Sequence, residues 1–191
     1  MICITDIING LALDCLNIPF AGLVQDGYVT NYNDIDRDAT TFNTSKTDIT
    51  ALTLLTGKKF YKISASKKLL KASAELAKKE ITIDKFKHVL ESVAYDLDES
   101  TKTFLQSLAS GARITAIIER KFKGAGNTTG FQVLGYDAGM EITEAKWDSG
   151  EQDGIIPFKL GTVDGEEEVR LPYTYLATDY ATTKAAITAM L

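Results

Sequence analysis

Residues 111–142 read GARITAIIERKFKGAGNTTGFQVLGYDAGMEI, and their periodicity decides the fold class. Ile114, Ala116 and Ile118 alternate with Arg113, Thr115 and Ile117, the two-residue period of a strand. Lys123, Gly124, Ala125, Gly126 and Asn127 then make a turn, in which glycine supplies the positive φ that tight hairpin loops need. Phe131, Val133 and Leu134 carry the returning strand, residues 135–139 break it, and Met140 and Ile142 begin another. The stretch predicts a hairpin followed by a further antiparallel strand.

On the N-terminal side lies the clearest helix. Asp98 is placed to cap it, Phe104, Leu105 and Leu108 form its apolar stripe, and Gly111 ends it. On the C-terminal side, Ile156, Phe158 and Leu160 return to a spacing of two. Farther out, residues 21–33 read as one or two strands, and residues 49–55 and 60–64 as a hairpin turning at Gly57 and Lys58. Residues 66–80 have helical composition, yet Leu70, Ala72, Ala74 and Leu76 lie two apart, the spacing of a strand, so the residues alone leave helix and strand both open. Residues 81–97 read as a strand with Phe86, His88, Leu90, Ser92 and Ala94 on one face. Residues 34–48 read as an exposed loop with Phe42 stranded in it, and residues 164–168 as a solvated acidic turn. An extended tail opens at Leu171, Pro172 and Tyr173. A short final helix fits residues 178–190, where Tyr180, Lys184 and Ile187 recur at helical spacing.

The expected architecture is mainly β, a β-sandwich or barrel with one flanking helix and a short C-terminal helix. At 191 residues it forms one domain, with residues 1–20 as an N-terminal arm and 171–191 as a C-terminal tail. A chain of this size buries roughly 70% of its unfolded surface and needs no metal or disulfide to fold. The formal net charge is −5, which disfavours a nucleic-acid grip through phosphates. The lysines at 58, 59, 62, 67, 68, 71, 78 and 79 read as a solvated face. No apolar run approaches the roughly 18 residues of a membrane span, so no membrane anchor is expected. Cys3 and Cys15 lack metal-site spacing, and free thiols are the simpler reading.

No residue pattern announces catalysis. His88, the one histidine, sits in strand-like sequence and reads as structural. Glycines 124, 126 and 130 miss the dinucleotide-binding spacing and precede a strand instead of a helix. The carboxylates at 34, 36 and 38, and at 148, 151 and 153, do not match a calcium loop. The expectation is a non-enzyme with no cofactor and no metal.

The run Gly57, Lys58, Lys59, Phe60, Tyr61, the helix at 98–110, the stretch from Gly111 to Glu119 and the motif Leu134-Gly135-Tyr136-Asp137-Ala138-Gly139-Met140 carry a resemblance. Together, over roughly residues 20–163, the chain resembles bacteriophage virion structural proteins of the tail tube type, and the resemblance favours a strand at residues 70–77. The resemblance implies subunits that form rings, commonly hexameric, stacked into a hollow tube through which the genome passes. Inner-sheet strands line the bore, while loops or terminal arms reach neighbours. The implied partners are further copies of the chain and other phage tail proteins, with DNA passing without specific binding. The implied location is the virion tail, after assembly in the host bacterial cytoplasm.

A tail terminator or connector-type ring protein is the nearest alternative, and a ligand- or carbohydrate-binding β-sandwich module the more distant one. The expected subunit interface comprises Ile4, Ile7, Ile8 and Leu11 of the apolar arm, with Phe42 and Trp147. Burying each such side chain contributes roughly 1.5–3 kcal/mol before ordering costs.

Overall fold

The hairpin at the centre of the sequence is also the centre of the fold. The structure, a computed structural model, describes residues 18–66, 68–148, 150 and 155–191. The chain runs β1 (Leu23–Asn31), β2 (Thr41–Phe42), β3 (Asp48–Ala51), β4 (Tyr61–Ser64), β5 (Lys71–Ala77) and β6 (Lys85–Ala94). It continues through α1 (Glu99–Ala109), β7 (Ile114–Arg120), β8 (Phe131–Leu134), β9 (Glu141–Ala145), β10 (Ile156–Gly161), β11 (Tyr173–Tyr175) and α2 (Tyr180–Ala189).

β7 and β8 form the expected antiparallel hairpin, with Ala116 opposite Leu134 and Glu119 opposite Phe131. Its loop turns through Gly124 at φ +71° and Gly126 at φ +64°. β7 is buried on both faces from Ile114 to Glu119, and this explains why the face opposite Ala116 and Ile118 also carries an apolar Ile117 and a Thr115 whose hydroxyl donates to the Gly135 carbonyl. It lies inside a seven-stranded sheet of order β2-β3-β11-β8-β7-β1-β4. A four-stranded antiparallel sheet, β5-β6-β10-β9, packs over one face. Val29, Ala116, Ile118 and Leu134 meet Leu90, Phe158 and Leu160 between the two sheets. The chain is therefore a mainly β sandwich.

α1 lies beside this core. The Asp98 side chain accepts the Thr101 N–H at 2.7 Å, and Leu108 is buried while Phe104 meets Phe158 edge to face. Gly111 at φ +92° closes the helix, with its N–H on the Leu108 carbonyl and the Ala112 N–H on the Ser107 carbonyl. α2 covers the other face of the large sheet, where Ile187 joins Tyr28, Ile117, Phe131 and Tyr175. The strand alternative holds for Lys71–Ala77: β5 pairs with β6 over its whole length.

Three expectations are corrected. Residues 49–64 do not form a hairpin. β3 pairs with β2 and with the late strand β11, while β4 crosses to the far edge and pairs with β1. The crossing is held by Phe60, 1% exposed, whose N–H donates to the Met190 carbonyl at 2.7 Å. Residues 171–191 are not a free tail: β11 is an interior strand between β3 and β8, and α2 packs on the core. The acidic run 164–168 is solvated only at its start. Glu167 and Glu168 are buried because both have partners inside the protein.

Candidate assembly surface

Strand edges are where a sheet can accept another chain, since their backbone N–H and C=O groups on one side lack a partner strand. The large sheet ends in β2 and β4, of 2 and 4 residues. Short edges offer little to pair with. The small sheet ends in β5, of 7 residues, and β9, of 5. Among the described residues neither has a strand on its outer side. α1 contacts β9, and Phe104, Leu105 and Ile142 pack against the same core cluster.

Registers across the small sheet align four charged residues from four strands. Lys71 lies opposite Glu91, Glu91 opposite Lys159, and Lys159 opposite Glu144. The Lys71 ammonium is 3.4 Å from Glu91, and that of Lys159 is 3.8 Å from Glu144. The row therefore alternates Lys–Glu–Lys–Glu, with a lysine on one open edge and a glutamate on the other. Both ends are exposed, at 66% for the Lys71 side chain and 73% for that of Glu144. The neighbouring row, Ala72–Leu90–Leu160–Ile142, faces the core, as the period of two requires.

Exposed apolar groups gather near these edges. Leu76 on β5, Ile81 and Ile83 in the loop after it, and Trp147 two residues beyond β9 are all more than half exposed. Trp147 is thus a surface residue and does not cap the core. Phe42 lies on β2. It is half-buried and packs at 5.5 Å from Tyr136 and 5.4 Å from Tyr173 of its own chain, because β2 folds back on that cluster. Ile4, Ile7, Ile8 and Leu11 lie outside the described residues, as do Cys3 and Cys15. Of the lysine-rich stretch, Lys58, Lys62, Lys71 and Lys79 are paired with Asp34, Asp26, Glu91 and Glu167. Lys67 lies outside the described residues.

The most perturbed ionisable groups lie elsewhere, behind the corner 135–139. His88, 1% exposed, accepts the Gly135 N–H on Nδ1 at 3.2 Å and donates from Nε2 to the Arg170 carbonyl at 2.9 Å. Burial pushes its pKa down to about 4, so the ring is neutral. Glu168 accepts the N–H groups of Asp137 and Ala138, each at 2.9 Å, yet burial pushes its pKa up to about 7. Asp137, also raised by burial, accepts the Tyr173 hydroxyl at 3.0 Å. His88 and Glu168 spend their hydrogen bonds on backbone groups of the corner and of Arg170, which makes them its clamp.

Comparison with protein families, curated proteins and solved structures finds no match. The surface itself is therefore the guide. Depressions mark it among the described residues. One of 590 Å³ beside the end of α1 is lined by Thr103, Gln106, Ser107 and Ser110. Another, of 200 Å³, opens between the sheets at Leu23, Ala74, Leu134 and Pro172. Neither is lined by His88, Glu168 or Asp137. Among the described residues no group of three or more His, Cys, Asp or Glu is placed to hold a metal ion. No helix among them is long and apolar enough to cross a membrane.

Sequence reasoning missed the charge row because its members are scattered from position 71 to 159 and only the strand register unites them. It missed Glu168 because a run of acids reads as solvated. Its one signal was the following Val169-Arg170-Leu171-Pro172-Tyr173, which leads directly into a strand.

Proposed function

We propose that this chain is a structural subunit that joins copies of itself into closed rings, and that the rings stack into a hollow tube like the phage tail tubes its sequence resembles. The observation that carries the reading is the small sheet, whose long edges β5 and β9 have no neighbouring strand among the described residues. Its four strands alternate in direction, so β5 and β9 run opposite ways. A copy rotated about an axis roughly along the strands brings its β9 antiparallel to the first copy's β5, the stronger of the two pairing modes. The joined surfaces differ, so the contact is heterologous, and heterologous contacts that close make rings. A ring built this way has a continuous sheet facing its axis. Main-chain hydrogen bonds supply the adhesion, as in other strand-addition complexes.

The remaining features have roles in such an assembly. Exposed Leu76, Ile81, Ile83 and Trp147 border the joint or the ring's ends, and bury only when copies meet. The outward face of the small sheet alternates charge instead of concentrating positive charge, so DNA would pass along it without being held. In this reading the chain performs no catalysis and belongs to the virion tail, where other tail proteins meet the ends of the tube.

The test is the assembly state. Sedimentation and negative-stain electron microscopy across a wide concentration range should show rings or tubes of uniform bore. A strictly monomeric protein at every concentration overturns the reading.

A further inference from the structure

We infer that Lys71 of one subunit and Glu144 of the next form the contact that sets the register and polarity of the ring joint. The inference rests on the self-assembly reading and adds the residues that would make the joint specific. Within one subunit the row Lys71–Glu91–Lys159–Glu144 alternates without a fault. Placing the next copy's β9 beside β5 with Glu144 opposite Lys71 continues the alternation around the ring. The second copy is the occupant because the two edges are complementary in charge and opposite in direction.

The charges on β9 disfavour one wrong joint. A β9–β9 contact brings together edges that both carry Glu141 and Glu144, whereas β5 carries both Lys71 and Glu75. Opposed like charges across strands are destabilising, so two-fold β9–β9 dimers are disfavoured against head-to-tail joining. Register is constrained as well. A slip of one residue turns the core-facing Ala72 row outward. A slip of two in one direction sets Lys71 against Lys146. In the other direction it meets Glu141, which Arg113 already holds at 2.7 Å. Lys71 and Glu144 are the members of the row with the most exposed side chains, and among the described residues each has one ion-pair partner, Glu91 and Lys159. The irregularity that β9 makes around Thr143 against β10 places Glu141 opposite Gly161, and the same spacing on the outer side sets Glu141 opposite Ser73.

The experiment compares the full-length chain with Lys71→Glu, Glu144→Lys and the double reversal, reading the concentration at which assembly begins. Each single reversal should raise that concentration by about tenfold or more, and the double reversal should restore it to within about threefold of the parent. Unchanged thermal melting of the isolated subunits shows that the fold is intact. As a second readout, Lys71→Cys and Glu144→Cys together, with Cys3 and Cys15 changed to Ser, should oxidise to covalent multimers longer than a dimer. A parent that assembles while the single reversals assemble equally well overturns this contact and leaves the ring reading standing. So does a parent that assembles while the double reversal fails to recover, or while the paired cysteines do not cross-link. A parent that never assembles removes both.

Discussion

Gly135 sits at φ +67° at the start of the corner that joins β8 to β9. A Cβ there would lie 2.9 Å from Met140 Cγ and 3.0 Å from the Ile114 carbonyl oxygen. The left-handed backbone costs a non-glycine residue about 1–2 kcal/mol, and crowding a packed core costs a similar amount. Gly135→Ala should therefore destabilise the protein by about 2–4 kcal/mol in a denaturant titration. A loss below about 0.5 kcal/mol would show that the corner is not under this constraint. The groups behind the same corner predict a pH signature. Glu168 has a folded pKa of about 7 against an ordinary value of 4.5. Between these values the folded state binds more protons than the unfolded one, so Glu168 lowers stability as pH rises. His88 has the opposite sign. Its folded pKa of about 4, against 6.5, gives stability that is present above pH 6.5 and lost as pH falls. Relative to the parent, Glu168→Gln should gain as pH rises from 4.5 to 7, by up to about 3 kcal/mol. His88→Gln should gain as pH falls from 6.5 to 4. Difference curves that stay flat over these windows, from melting followed at several pH values, would contradict the burial of both groups.

At the scale of elements, α2 does what its modest sequence pattern barely advertises. The Asp179 side chain caps it by accepting the Thr182 N–H at 2.7 Å. Tyr180 stacks on Phe131 at 5.2 Å and shares the buried Glu119 carboxylate with Lys123 and Lys184. Ile187, 1% exposed, is its anchor in the core. Ile187→Ala should cost about 2–5 kcal/mol and Asp179→Ala about 1 kcal/mol, measured by thermal or denaturant unfolding. Neutral values for both would mean that α2 is only draped on the sheet. Elements of this kind divide what was legible in the sequence from what was not. α1 was legible because cap, stripe and terminating glycine are local signals. The β7–β8 hairpin was legible because its turn and both periods lie within one stretch. β5 was only partly legible: Leu70, Ala72, Ala74 and Leu76 have a strand's spacing but helical propensity, the tail tube resemblance tipped the reading to strand, and pairing with β6 is what overrides the propensity. The partner of β3 was not legible. It is β11, which arrives from the other end of the chain, and nothing local at residues 48–51 distinguishes that partner from the nearby β4. Phe42 reads as exposed for the same reason, since Tyr136 and Tyr173 reach it only through the fold.

For the whole molecule, the charge arrangement makes a demand that composition alone does not. A net charge of −5 is weak evidence about DNA, because a single basic face would still bind phosphates. The small sheet, which would face the bore of a ring, instead pairs Lys71 with Glu91, Glu91 with Lys159, and Glu75 with Lys87 across its strands. Lys71, Lys87 and Lys159 each carry a neighbouring carboxylate that opposes the approach of a phosphate. Binding through phosphates would release counterions and show a steep loss of affinity with salt, whereas this face has few cations free to release them. Assembled protein should therefore retain no duplex DNA in a filter-binding assay at about 0.15 M salt, and lowering the salt should increase retention only slightly. Changing Glu75 and Glu91 to Gln leaves the lysines unopposed, and should produce salt-sensitive retention without altering the fold, since both side chains lie outside the core. Strong retention by the parent, or none by the variant, would show that charge alternation on this sheet does not govern how DNA meets the protein.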